Sequence, residues 1–506
     1  MPAPRPLWTP RGHTSTRRQL LGGLAAIGGG AALGGCSTAP DVGSGGGPSQ
    51  PKASAGGGGG AKDSSDFAWW DQFNPLAKQE KAIFSAFHSD GGPKIDYTVY
   101  NPNDQGKALQ LAHSSHQMPD VFSLAGVSVP PAQLVDQGWF APIGTSDTIK
   151  KAFEEGALIE GVHIFDDQLY SFPIFGVRQY TTIPWFNKDL AKTAGVDPEN
   201  PPTTWDDLRK AGQRLKKAGS YGLTLPLTFA PRMESFVTEL ALVAGFPGDN
   251  THPGLDLTTG EYRFHDDAFL QAVDFLHSFK IDKTLFPAST SLDARSGRAR
   301  WIANGSGWFF DGSWNVGVVV GDFASFLPKL GVGPIPTPNG ETPVLTSAPT
   351  GGTFWISKDS QHVDEASELL TKFVGDDFWK GMAKSMDQPP YDETVVADSA
   401  AKDPYKKAVD YYKKQVFVGP SVEANPGVSD VEGVMKDVTP GLGEIVQGVF
   451  SGQVKDVKSA LTKLSDSTTA ARDAAIRSVA GKKGGTKVSA DAWAFPHWTK
   501  GTDYRE

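Results

Sequence analysis

Only one cysteine, Cys36, occurs in 506 residues, so no intrachain disulfide can form and the fold must be stable without one. An excess of basic charge is missing too. Lys and Arg number 48 against 57 Asp and Glu, giving a formal net charge of −9. Nucleic-acid phosphates call for a concentrated positive surface, so that class of partner is set aside. The sequence has no Gly-x-Ser-x-Gly elbow and no His-Glu-x-x-His zinc helix, which removes two hydrolase chemistries. The glycine run before Lys62 lacks the Gly-Lys-Ser/Thr ending of a phosphate loop, and no strand precedes it. His113 and His116 lie three apart with no third ligand in view, and read as a solvated helix face rather than a metal site.

What remains is enough for two or three domains, with 39% hydrophobic residues to build their cores. The first 36 residues read as an address. Arg17-Arg18 form a twin-arginine pattern, and the run Gly22–Gly35 is too short and too Gly-rich to span a membrane. Leu33-Gly34-Gly35-Cys36 resembles a bacterial lipobox, which implies cleavage and lipid attachment at Cys36. Residues 37–65 are rich in Gly, Ser, Ala and Pro and cannot bury enough apolar surface to order themselves. As a tether they reach roughly 30 Å. The anchor, with the high Gly and Pro content, suggests the outer face of a Gram-positive cell membrane.

Beyond the tether, apolar patterns alternate between the two periods of secondary structure. Phe67–Trp70 reads as a strand, Leu76, Ile83, Phe84 and Phe87 mark a helix, and Lys94–Tyr100 alternates as a second strand. A helix around Gly106–His113 follows, then a strand over Met118–Phe122. Gln168–Tyr180 suits an extended strand passing through a hinge, interrupted by Pro173 and Gly176. Thr204 and Asp207 form a capping box for a helix burying Leu208, Ala211, Leu215 and Ala218, stopped by Gly219. Later come a strand at Leu223–Thr228, helices at Ser235–Gly245 and from Asp266, and closing helices within Val434–Lys463. Alternation of this kind predicts α/β architecture with mainly parallel sheets.

Several strings resemble one family. They are LYSFP (Leu169–Pro173), PWFNKDLAKTAGVDPENPPTTWDDL (Pro184–Leu208), Met118–Phe122, Leu134–Ile143, Ala294–Trp314 with its Gly-Ser-Trp ending, and Gly351–Lys358. Together they resemble the extracellular solute-binding proteins of ABC importers, family 1, which include the maltodextrin-binding proteins. Trp301 departs from the usual small or Met residue, and the resemblance covers about Asp66–Thr468. It implies a two-lobed, periplasmic-binding-protein-like fold of type II, each lobe a mainly parallel sheet flanked by helices, joined by three crossings. The expected organisation is a signal over 1–36, a tether over 37–65, one lobe from 66–176 and 339–386, a second from 177–338 and 387–488, and a C-terminal tail at 489–506. The crossings are placed at Gln168–Tyr180, Gly331–Pro338 and Asp387–Glu393.

Ligands of open α/β lobes sit at the carboxyl ends of strands. The candidates there are Trp69, Trp70, Asp71, Ser123, Arg178, Gln179, Tyr180, Arg232, Glu234, Asp311, Trp314, Gly351 and Gly352. Tryptophan and tyrosine planes suit the C–H face of a pyranose, and Asp, Glu, Arg and Gln suit its hydroxyl rim. The paired glycines suit close approach of a ligand to backbone. The resemblance makes Trp314 the first choice, because the Trp of Gly-Ser-Trp often stacks on sugar in that family. Trp139, Trp205, Trp355 and Trp379 are assigned to packing, and Asp120 to a strand-to-loop turn. Arg178 and Arg232 are open between ligand bonds and ion pairs, and an arginine that met a carboxylate would make the ligand an acidic sugar. The expected function is carbohydrate binding and delivery to an ABC permease, by a monomer without cofactor, metal or catalysis. A secreted glycosidase is the alternative, with Asp71, Glu234 and Asp311 as candidate carboxylates. A sensor or adhesin on the same fold is a further one.

Overall fold

Two sheets with separate hydrophobic cores divide the chain, and in each one strand reached after a crossing runs against the rest. The computed structural model describes residues 67–127, 129–154, 156–481 and 487–504. The twin-arginine pattern, Cys36 and the tether lie outside them.

In the first sheet the spatial order is 95–99, 67–71, 121–122, 355–357, 140–141. Phe67–Asp71 pairs parallel with both neighbours, whereas Trp355–Ser357 is antiparallel to both of its own. In the second sheet the order is 330–332, 183–187, 308–311, 223–224, and Ile183–Asn187 is the reversed strand. Every residue of Ile183–Asn187 is buried, as expected of a central strand covered on both faces. Mainly parallel sheets are therefore what the alternating pattern yields, with one reversed strand each.

The crossings lie side by side. Gly176 N donates to Pro389 O at 2.9 Å and Tyr391 N to Ile174 O at 2.8 Å, pairing the first passage with the third. Thr353 N donates to Phe172 O at 3.0 Å, which adds the second. A side chain on Gly176 would meet Pro390 O at 3.0 Å, so glycine is needed where these backbones touch. The expected long strand over Gln168–Tyr180 is confined to Gln168–Leu169, because the passage bends at Pro173 and Gly176 and its bonds go to the other crossings. The second passage also lies later than Gly331–Pro338. Leu345–Ser347 pairs with Val416–Val418 and Leu345 joins the second lobe's core, so the return to the first lobe follows Ser347. Residues near Pro338 instead cover the helix Trp205–Lys217, where Trp205 Nε1 donates to Pro336 O at 2.8 Å.

Local signals account for the helices. Thr204 Oγ1 accepts from Asp207 N at 3.0 Å, and Leu208, Ala211 and Leu215 are buried below that cap. Asp266 caps the helix Asp267–Ile281, and Ala77–Ser89 buries Phe84 and Phe87. The last segment is part of the fold rather than an appendage. Trp493 and Trp498 are buried with Leu255, Leu257, Val422 and Val479 in a satellite core. Burying an aromatic ring removes some 150–250 Å² from water, which holds the tail down. Among the described residues no helix is long and apolar enough to cross a membrane.

Candidate functional site

A cavity of about 280 Å³ opens between the lobes at the carboxyl ends of their strands. Gln72, Phe73, Asn74 and Pro75 follow the strand Phe67–Asp71, and Ala125 and Gly126 follow Val121–Phe122. The opposite wall brings Arg232, Ser235, Arg295, Arg298 and Trp314 from the second lobe. Thr181, Asp387 and Gln388 come from the crossings. At the edge Arg295 donates to Tyr100 O at 2.7 Å and Asn101 to Asp293 at 3.2 Å, so the lobes are hydrogen-bonded across the gap.

The second lobe's wall is built around Asp311, buried at the end of Trp308–Asp311. Its Oδ1 accepts from Arg232 at 3.1 Å, from Trp314 Nε1 at 2.8 Å and from Gly312 N at 3.0 Å. Its Oδ2 accepts from Arg298 Nε at 2.8 Å and from the same guanidinium's NH2 at 2.6 Å. Arg232 lies over the Trp314 ring, 4.9 Å from its centroid. A side chain on Gly312 would strike that ring at 2.2 Å, so the glycine lets Trp314 fold back over its own turn. Burial presses the Arg232 pKa down while Asp311 opposes this. Asp387, buried beside Arg298, is pushed up to about 7, chiefly by burial.

The candidates from sequence divide sharply. Arg232, Asp311 and Trp314 come together at the cavity, though Asp311 is buried behind its wall. Trp69 lies in the first lobe's core, stacked on Phe373 at 5.0 Å, and Trp70 packs on Tyr100 on the other side of the strand. Neither lines the cavity, because strand alternation sends both side chains away from the strand's end. Asp71 is fully buried and accepts from Trp69 Nε1, Phe73 N and Tyr97. Burial lifts it to about 6, and it shapes the turn that carries Gln72. Ser123 donates to Gln72 Oε1 at 2.5 Å, again fixing a wall residue rather than facing the ligand space.

The crossing residues turn elsewhere. Arg178 bonds Val416 O and Asp503, Gln179 bonds Gly176 O, and Tyr180 donates to Gln415 at 2.7 Å. Gly352 makes room for Ser171, which a side chain would meet at 2.3 Å, and Gly351 meets nothing within 4 Å. Glu234 follows Arg232 by two on one helix and so faces another way. It lines a second interlobe cavity, of about 500 Å³.

That second cavity also holds His252, Glu423 and Glu432, whose ligand atoms lie within 4.8 Å of one another and form a group able to hold a metal ion. His252 Nε2 is 2.7 Å from Glu423, and its Nδ1 is 3.0 Å from buried Asp249. His113, by contrast, stacks on Trp139 at 4.2 Å. Trp139, Trp205, Trp355 and Trp379 are buried, and Asp120 accepts from Ala68 N and Ser360.

Sequence reasoning missed Gln72, Arg295, Arg298 and Asp387. Arg295 and Arg298 stand three apart in the helix Ala294–Arg300, which leads through the turn Trp301–Gly305 to the strand carrying Asp311. That spacing puts both on one face, and it is the signal that would have found them.

A family model described as bacterial extracellular solute-binding protein matches residues 70–377. The sn-glycerol-3-phosphate-binding periplasmic protein UgpB of Rhizobium meliloti (strain 1021) is 22% identical over 371 residues, 70% of this chain and 78% of that protein. The arabinooligosaccharide-binding protein of Bacillus subtilis (strain 168) is 26% identical over 194 residues, 38% of this chain and 41% of that one. Among solved structures, an ABC transporter solute-binding protein of Thermotoga lettingae TMO bound with α-D-tagatose superposes with a TM-score of 0.61 at 16% identity. That match covers 81% of this chain and all of the other, a likeness of fold.

Proposed function

Because this chain belongs to the bacterial extracellular solute-binding proteins, we propose that it is the binding component of an ABC-type importer that closes two lobes over a small carbohydrate or polyol and presents it to a membrane permease. The observation that carries this reading is the cavity of about 280 Å³, walled by both lobes and floored by the crossings. A space of that size, at the low end for ligand pockets, suits one or two sugar units. Adjacent crossings bending together let the lobes part and close as bodies. Relatives and fold neighbours named for sugars, sugar oligomers and glycerol phosphate support a polyhydroxylated ligand.

Binding without bond cleavage is supported by where the carboxylates lie. Asp71 is sealed in one lobe, Asp311 is engaged by two arginines, and Glu234 lines the other cavity. Hydrolysis needs two carboxyl groups facing one glycosidic bond. Family membership carries an extracytoplasmic location with it. The finer reading is a monomer held at the membrane by lipid on Cys36. Thermal-shift titration with mono- and disaccharides is expected to raise the Tm for at least one, without its hydrolysis. Turnover of a bound sugar would refute the reading. Cys36→Ala should move the protein from the detergent phase to the aqueous phase on partitioning.

A further inference from the structure

The cavity concentrates positive charge in a chain whose formal net charge is −9. Its charged lining consists of Arg232, Arg295, Arg298 and Asp387. Behind that lining, Asp311 serves two of the three guanidiniums at once. Both of those arginines are nearly out of solvent, with side chains 12% and 8% exposed. Arg295 bonds a backbone carbonyl, Tyr100 O, which carries no countercharge. Asp293, Asp322 and Asp104 act on Arg295 through space but do not line the cavity, so among its lining groups three guanidiniums face one carboxylate.

Arginine cannot relieve such a surplus by losing a proton, and its planar fork matches the oxygens of phosphate and carboxylate. Bringing the surplus into a closed cleft costs desolvation energy unless a negative group meets it. A neutral sugar supplies hydroxyls but no charge. An anionic one answers both needs, with Gln72, Ser235 and Gln388 left for hydroxyls and Trp314 for a C–H face.

Resting on the solute-binding reading above, we propose that the ligand is a small polyol or sugar bearing one anionic group, phosphate or carboxylate, seated against Arg295 and the Arg232–Arg298 pair. Arg295 is the specificity-determining residue, since its charge is the one that no carboxylate engages directly.

Calorimetric titration of the purified protein with matched solutes tests this: glucose, glucose 6-phosphate and glucuronate, and glycerol with glycerol 3-phosphate. An anionic member is expected to bind at least 100-fold more tightly than its neutral counterpart, and phosphate against carboxylate identifies the group. Raising the salt from 50 to 500 mM should weaken that binding several-fold. Arg295→Gln should weaken it about tenfold or more, a larger loss than any neutral member shows. Arg209→Gln, altering a pair with Asp282 on another helix, is the control and should change nothing. Neutral solutes binding as tightly as anionic ones would overturn this proposal and leave the solute-binding reading standing. No binding by any member, with the protein folded, would overturn both.

Discussion

The two interlobe cavities are built as charge opposites. In the smaller, Arg232 and Arg298 share Asp311 with Arg295 beside them, and in the larger, three carboxylates (Asp249, Glu423 and Glu432) gather around His252. The two kinds of surplus are relieved differently. Carboxylates titrate, so the acidic cluster can shed charge by taking up a proton, and Glu432 is accordingly pushed up to about 7, first by burial. Guanidiniums do not titrate in water's range, so the basic cluster keeps its surplus for whatever enters. One cavity is thus self-neutralising and the other is not, which is why the smaller is the better receptor.

Removing the hub of the basic cluster should break this contrast most. Asp311→Ala leaves Arg232 and Arg298 buried without their shared partner and takes the acceptor from Trp314 Nε1. Stranding buried charge costs about 3–5 kcal/mol, read as a lowered midpoint in urea. A loss below about 1 kcal/mol would mean that the arginines reach water and that the surplus is not buried.

The hub of the acidic cluster gives a smaller effect with a pH signature. Burial disfavours charged His252, but Glu423 and Asp249 overcome it and hold its pKa well above the usual 6.5. That stabilisation is complete below about pH 6.5 and is lost as pH rises through the folded value. Glu423 is buried too, yet His252 draws it down from 4.5 to about 2, so its contribution is present above 4.5 and lost toward 2. Glu432 binds its proton more tightly when folded, so its contribution falls as pH rises from 4.5 to 7 and stays lost above that. His252→Gln should therefore cost about 1.5–3 kcal/mol near pH 5.5 and progressively less in alkali. A difference from wild type that stays flat from pH 5 to 10 would remove charge from the cluster's account.

The fold was legible where one residue type has one local use. Thr204 before a periodic helix and the strand, helix, strand order over Phe67–Tyr100 read directly, since caps and periodicity depend on near neighbours. The site was legible only in part. Searching the carboxyl ends of strands reached Arg232, Asp311 and Trp314, but it could not say whether a residue there faces the gap or props up one that does. Asp71 and Ser123 belong to the second kind: both act on the turn holding Gln72. Arg295 and Arg298 went unseen because their meaning lies in how few carboxylates line the cavity with them, a property of the assembled lobes. The tail was unreadable for a similar reason, as Trp493 finds its core beside Leu255 and Val422, far away in sequence.

That tail offers the finest adjustment of the comparison. Trp493 Nε1 donates to Glu432 Oε1 at 3.2 Å, so the acidic cavity is braced by the end of the chain while the basic one is not. Trp493→Phe keeps an aromatic ring in the satellite core but removes the donor, and should cost about 1–2 kcal/mol. A donor to a carboxylate favours its ionised form, so without it Glu432 should titrate above its present value of about 7. Carboxyl resonances followed by NMR against pH would register that rise. Ligand affinity should not change, because Glu432 lines the larger cavity and Arg295 the smaller. If affinity fell with the brace removed, the two cavities would be parts of one coupled site, and the separation of a self-neutralising cluster from a receptive one would fail.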